Sequence, residues 1–193
     1  SAFSSFAFYN MEQPPATLAI TAFGDRIFAL HTTDYYDGIT RDHFHPGWQR
    51  WNYSDAFNSS YASAVGSDLN IQSTPAVDGD FAYIATPAGE VIAIDCRDGT
   101  ELWRVYTGGY LGSSPVVDPE TQRLYITGTS GMHALTLEEN VASQDRVLVN
   151  FATQTTISSA ALSVDGAVLY FATSAGTLYA IDLDATFAPL MVP

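Results

Sequence analysis

Residues 73–103 read STPAVDGDFAYIATPAGEVIAIDCRDGTELW, and this stretch decides the fold. Asp78-Gly79, Pro87-Ala88-Gly89 and Asp98-Gly99 are turn signals, because glycine reaches the backbone conformations that tight turns demand and proline presets others. Between them lie short runs of β-formers, Phe81 to Thr86 and Val91 to Ile94. The stretch predicts three strands and the start of a fourth, joined by tight connections.

The same plan recurs along the chain. Ser73-Thr74-Pro75-Ala76-Val77 returns as Ser113-Ser114-Pro115-Val116-Val117 and as Ser158-Ser159-Ala160-Ala161-Leu162. Tyr83-Ile84-Ala85-Thr86 returns as Tyr125-Ile126-Thr127-Gly128 and Tyr170-Phe171-Ala172-Thr173. The step from Gly89 to Gly131 is 42 residues and from Gly131 to Gly176 it is 45. A period of this size with four short strands per unit predicts an all-β chain, a β-propeller of four-stranded antiparallel blades. A sheet stacked between neighbours has two dry faces, which explains strands that are apolar throughout instead of alternating.

The repeats divide the 193 residues into blades at about 4–53, 70–107, 111–153 and 157–193, one propeller region with a loop insertion at 32–50. Residues 54–69, rich in Ser, Ala, Asn and Gly, read as a surface connection. In the third repeat a longer polar loop is expected over residues 138–145. Four blades are expected to form part of a larger ring, completed by further blades of the same or another chain, in preference to a closed ring of four.

Composition narrows the partners. There are 21 acids against 7 bases, all of them arginine, for a net charge of −14. That excludes nucleic acid, whose phosphates need basic neutralisation, and an anionic membrane surface. No apolar run approaches the length of a membrane span. Cys96 is the only cysteine, so no internal disulfide forms. The chain opens at Ser1 without a signal-peptide pattern, as a mature product or a piece of something longer would.

The segment Ala93-Ile94-Asp95-Cys96-Arg97-Asp98-Gly99-Thr100-Glu101-Leu102-Trp103 resembles the tryptophan-docking motif of the pyrroloquinoline-quinone (PQQ) type β-propeller repeat. Ala93, Asp95, Gly99 and Trp103 fit its pattern, and Asp98 stands where threonine is usual. The small residue and the glycine let the indole of one blade lie on its neighbour's backbone, and the acid ties down the turn. Trp103 is therefore expected to dock between adjacent blades. Blade one carries Ala29 and Trp51 at the matching places, with His31 at the Asp95 place; blade four has Ala180, Asp182 and, for the tryptophan, Leu190.

The resemblance implies one of two classes. Its quinoprotein dehydrogenases hold PQQ and calcium at the propeller centre, several of them under a vicinal cysteine disulfide, a feature that one cysteine cannot supply. Its other members are outer-membrane assembly factors, sensor domains and secreted scaffolds that bind proteins on the blade rims. The departures favour the second class: a non-enzymatic, secreted or extracytoplasmic scaffold for a protein partner, without a cofactor, the alternative being a piece of a PQQ- and calcium-dependent dehydrogenase.

The insertion HTTDYYDGITRDHFHPGW, residues 31–48, concentrates His31, Asp34, Asp37, Asp42, His43 and His45. Imidazole with carboxylate suits a transition metal, with His43, His45 and Asp42 as candidate ligands; a polar, aromatic-rich rim loop has the same composition. Tyr35, Tyr36, Phe44, Trp48, Trp51 and Tyr53 suit sugar or peptide binding, or a small core of the loop's own. Asn52 and Asn58 begin glycosylation sequons beside the insertion. No nucleophile elbow, phosphate loop or zinc-protease motif is present, so no catalytic residue is assigned.

Overall fold

A computed structural model describes residues 5–12, 16–36, 43–54, 70–109, 111–138, 141–149, 158–183 and 189–191. Residues 35, 36, 44, 138, 141–149 and 189–191 are described by their backbone alone. Among the described residues there is no helix, and the strands form four-stranded antiparallel sheets in chain order. The fold is the β-propeller that the repeats imply.

The first sheet runs β1 (Ala7–Met11), β2 (Ala16–Phe23), β3 (Arg26–His31) and β6 (Gln49–Tyr53), with a small hairpin, β4 (Tyr35–Tyr36) and β5 (His43–Phe44), inserted before its last strand. The second is β7 (Ala76–Asp78), β8 (Phe81–Ala85), β9 (Glu90–Asp95) and β10 (Glu101–Tyr106). The third is β11 (Val116–Asp118), β12 (Arg123–Gly128), β13 (Gly131–Glu138) and β14 (Val141–Val149); the fourth is β15 (Ala161–Leu162), β16 (Val168–Ala172), β17 (Leu178–Asp182) and β18 (Pro189–Met191).

One difference from the sequence expectation lies in the third sheet. Of the stretch expected as a loop, Glu138 ends β13 and residues 141–145 lie in β14, which pairs back along β13 through two register shifts. Polar residues are compatible with strand here because β14 is the outer, edge strand of its sheet.

The innermost strands β1, β7, β11 and β15 abut in succession. Three apolar layers fill the spaces between successive sheets, the first from Leu18, Ile20 and Ile27 against Ile84, Ile92 and Ile94, the second from Tyr83 and Val91 against Leu124 and Ile126, the third from Tyr125 and Met132 against Leu169 and Phe171. Serine hydroxyls stitch the entry to the second, third and fourth sheets. Ser73, Ser113 and Ser158 donate to the carbonyls of Ala85, Thr127 and Ala172 at 2.8, 2.5 and 3.0 Å. The backbone amides of Thr74 and Ser114 donate to the hydroxyls of Ser114 and Ser159 at 2.8 and 2.9 Å, one sheet onward.

Candidate functional site

The docking residues are distributed over two sheets. Gly99 holds a left-handed φ of +81° at the end of its turn, and a Cβ there would lie 2.8 Å from the ring of Trp51. The Trp51 indole donates its N–H to the Cys96 carbonyl at 2.7 Å and is 7% exposed. Asp95 fixes the receiving turn by accepting the Arg97 backbone N–H at 2.8 Å and pairing with its guanidinium, which holds the Asp95 carboxyl below its ordinary range. Cys96 is buried, and that burial pushes its thiol up, away from the reactive thiolate.

Gly99 and Asp95 are thus the platform, and the indole reaching it is Trp51 of the preceding sheet. Trp103 faces the other way. It lies across from Ala93, packs partly buried into the second layer, and meets Tyr83 with ring centroids 5.8 Å apart. The Trp51–Gly99 pairing was carried in the sequence by Ala29 and Trp51, the first repeat's copy of the motif.

A polar cluster crosses the same boundary. Arg104 donates to Glu90 at 3.2 Å, to Glu101 at 2.9 Å and to the Tyr53 hydroxyl at 2.8 Å, while that hydroxyl donates to Glu101. Burial works against charge on Glu101, but Arg104 and Tyr53 outweigh it and keep the carboxyl below its ordinary range. A cleft of about 480 Å³ lies nearby, lined by Tyr9, Asn10, Glu12, Gly79, Asp80 and Arg97. Tyr9 donates to Asp80 at 2.5 Å, and burial together with that acceptor raises its phenol; Arg97 sits 3.3 Å from Asp80.

The insertion forms a rim. Tyr35 pairs with Phe44 and Tyr36 with His43 in the β4–β5 hairpin. Its base is pinned to β3, where the His31 amide donates to the Trp48 carbonyl at 2.9 Å and the Gly47 amide to the His31 carbonyl at 2.7 Å. His43 and His45 stand edge to face at 5.3 Å, and His45 meets Trp48 the same way at 5.1 Å. Asp34 accepts from, or pairs with, His45 Nδ1 at 2.8 Å. Trp48 is 53% exposed. The two candidate metal-ligating histidines are therefore adjacent, while Asp42 lies outside the described residues, as does Asp37. Among the described residues no group of three or more His, Cys, Asp or Glu is arranged to hold a metal. Asn52 is exposed on the edge strand β6, and Asn58 falls outside the described residues.

His133 was not singled out by sequence. It is 1% exposed, its Nε2 is 2.8 Å from the Ser130 hydroxyl, and that hydroxyl donates to the Gly108 carbonyl at 2.6 Å. Burial lowers the imidazole from 6.5 to about 4. The folded state thus resists a proton that the unfolded chain accepts below pH 6.5. The neutral-His contribution is complete above pH 6.5 and lost as pH falls toward 4, amounting to about 3 kcal/mol. Urea midpoints at pH 7 and pH 4.5 should show a smaller acid loss for His133→Gln than for the unaltered chain; equal losses would contradict this.

The innermost strands β1, β7, β11 and β15 carry no arginine. PQQ is a polycarboxylate and needs cations, which these four strands do not supply.

A family model described as outer membrane protein assembly factor BamB matches residues 21–185. No curated protein matches the chain. Among solved structures, BamB from Moraxella catarrhalis is 17% identical with a TM-score of 0.62, over 98% of this chain and 49% of that one. Quinohemoprotein alcohol dehydrogenase ADHIIG from Pseudomonas putida HK5 is 18% identical with a TM-score of 0.62, over 91% and 33%. Quinohemoprotein alcohol dehydrogenase from Comamonas testosteroni is 14% identical with a TM-score of 0.65, over 91% and 34%. These likenesses show the fold, and the chain spans between a third and a half of those proteins' length.

Proposed function

Because the chain belongs to the BamB-type family of PQQ-like repeat propellers, we propose that it is a non-enzymatic assembly scaffold that binds a protein partner outside the cytoplasm. The observation that carries this reading is the family match over residues 21–185, since that family is the one of an outer membrane protein assembly factor. The rim hairpin supports it. Asp34, His43, His45 and Trp48 form an exposed aromatic and acidic edge on a base hydrogen-bonded to β3, the kind of loop surface on a rigid frame that recognises other chains. The acidic balance of 21 to 7 favours a partner segment rich in Lys and Arg.

Deleting residues 33–46 should leave the far-ultraviolet circular dichroism unchanged and remove the partner recovered by cross-linking in cells of the source organism. Undiminished recovery would contradict the reading.

The second reading, a piece of a quinoprotein dehydrogenase, is favoured by the likeness to the two alcohol dehydrogenases and opposed by the inner strands. Added PQQ and calcium should give no dye-linked dehydrogenase activity and no quinone absorption carried with the protein. Either signal would favour this second reading.

A further inference from the structure

The rim hairpin carries two histidines, one of which is set by its neighbours. His43 lies in β5 and His45 follows two positions on, and an extended chain sends side chains two apart to one side. Their ring centres are 5.3 Å apart with the planes at 74°. Asp34 lies 2.8 Å from His45 Nδ1. A carboxylate accepts, so Nδ1 carries the proton and donates it, which leaves the lone pair of the neutral ring on Nε2. Trp48 meets the His45 ring edge to face at 5.1 Å. The base of the hairpin is tied to β3 through the backbone amides of His31 and Gly47. One imidazole is thus fixed in tautomer and in plane, beside a second.

These are the parts of a transition-metal site. Imidazole suits zinc, and a metal-binding histidine donates its other ring N–H to a carboxylate, which orients the ring and raises its basicity. The spacing agrees. With a Zn–N bond of about 2.0 to 2.1 Å a ring centre sits about 3.2 Å from the ion, and two rings at a tetrahedral angle have centres about 5.2 Å apart. The 5.3 Å between His43 and His45 matches that arrangement. Neighbouring ligands of a square-planar ion would bring the centres to about 4.5 Å.

We propose that the rim hairpin binds one zinc ion through the imidazoles of His43 and His45, with Asp34 as the positioning residue behind His45. Among the described residues no set of three or more His, Cys, Asp or Glu is arranged to hold an ion, so the site is an open one. His43 and His45 are exposed, and the ion keeps positions for water or for a ligand group of a docked chain. The other two histidines, His31 and His133, are 2% and 1% exposed and do not compete for added metal. The inference rests on the hairpin's geometry and not on the scaffold reading, so failure of partner capture by the rim would leave it standing.

Calorimetric titration of the chelator-treated 193-residue chain with zinc chloride should show one saturable site in the micromolar range. His43→Ala and His45→Ala should each weaken it about 100-fold or more, since a single imidazole is left, with the circular dichroism unchanged. Asp34→Ala should weaken it about 10-fold, and Asp34→Asn, which still accepts from Nδ1, should recover part of that loss. Imidazole nitrogen resonances of the metal-free protein should show His45 with its proton on Nδ1, and a shift toward the Nε2–H form in Asp34→Ala, which a merely structural aspartate would not produce. No saturable binding up to millimolar zinc, or unchanged affinity in either folded histidine variant, would overturn the site. Unchanged affinity and tautomer in Asp34→Ala would overturn the positioning role.

Discussion

Trp51→Ala should lower the unfolding free energy by about 3 to 5 kcal/mol, the cost of emptying a buried tryptophan site. The indole is buried between sheets, its N–H satisfied by the Cys96 carbonyl at 2.7 Å and its ring laid on Gly99. Truncation removes the contact area and leaves that carbonyl without its donor. Gly99→Ala strikes the same contact from the other side, since its Cβ would sit 2.8 Å from the ring and its φ of +81° disfavours any side chain. The two changes should therefore cost less together than their separate costs added. Trp103→Ala, at a site only partly buried, should cost less than Trp51→Ala. Urea unfolding followed by circular dichroism checks the order, and a Trp51→Ala loss under about 1 kcal/mol would show that the docking contact is not what holds the first two sheets together.

Arg104→Met should cost about 3 to 5 kcal/mol as well, for a different reason. Methionine keeps much of the volume but withdraws the cation from Glu90, which is 2% exposed, and from Glu101. Lysine should rescue little. Arginine's planar fork reaches Glu90, Glu101 and the Tyr53 hydroxyl together, and a single ammonium cannot. Arg26→Met is the control. Arg26 lies at the surface, 4.0 Å from Asp25, and its loss should stay within about 0.5 kcal/mol. Equal effects at the two arginines would remove the cluster from the account of stability.

The fold was legible because the sequence repeats its turns. Asp78-Gly79, Asp98-Gly99 and the glycines at 89, 131 and 176 mark the sheets before any strand is considered. The docking motif was legible as residue types but not as a pairing. Ala93, Asp95, Gly99 and Trp103 are contiguous in sequence, yet the indole on Gly99 belongs to Trp51, 48 positions earlier. Stacking direction decides that, and one repeat read alone carries no stacking direction. The polar stretch at 138–145 misled because polarity marks a loop and an edge strand equally. His133 left no trace, since Ile92 and Tyr179 occupy its register position in the neighbouring sheets and a lone histidine among them reads as substitution noise. In the insertion, the alternation His43-x-His45 is visible in the sequence and the two rings stand edge to face, while the link of His45 to Asp34 depends on where the hairpin folds back.

The most direct test of the scaffold reading is site-specific photo-cross-linking in cells of the source organism, with the reactive residue at Trp48 and, for comparison, at Val77 on an inner strand. A discrete protein adduct from the Trp48 position and none from the Val77 position is the expected result. Adducts from Val77 but not from Trp48, or none from either with the protein folded, would contradict the rim as the working surface of this propeller.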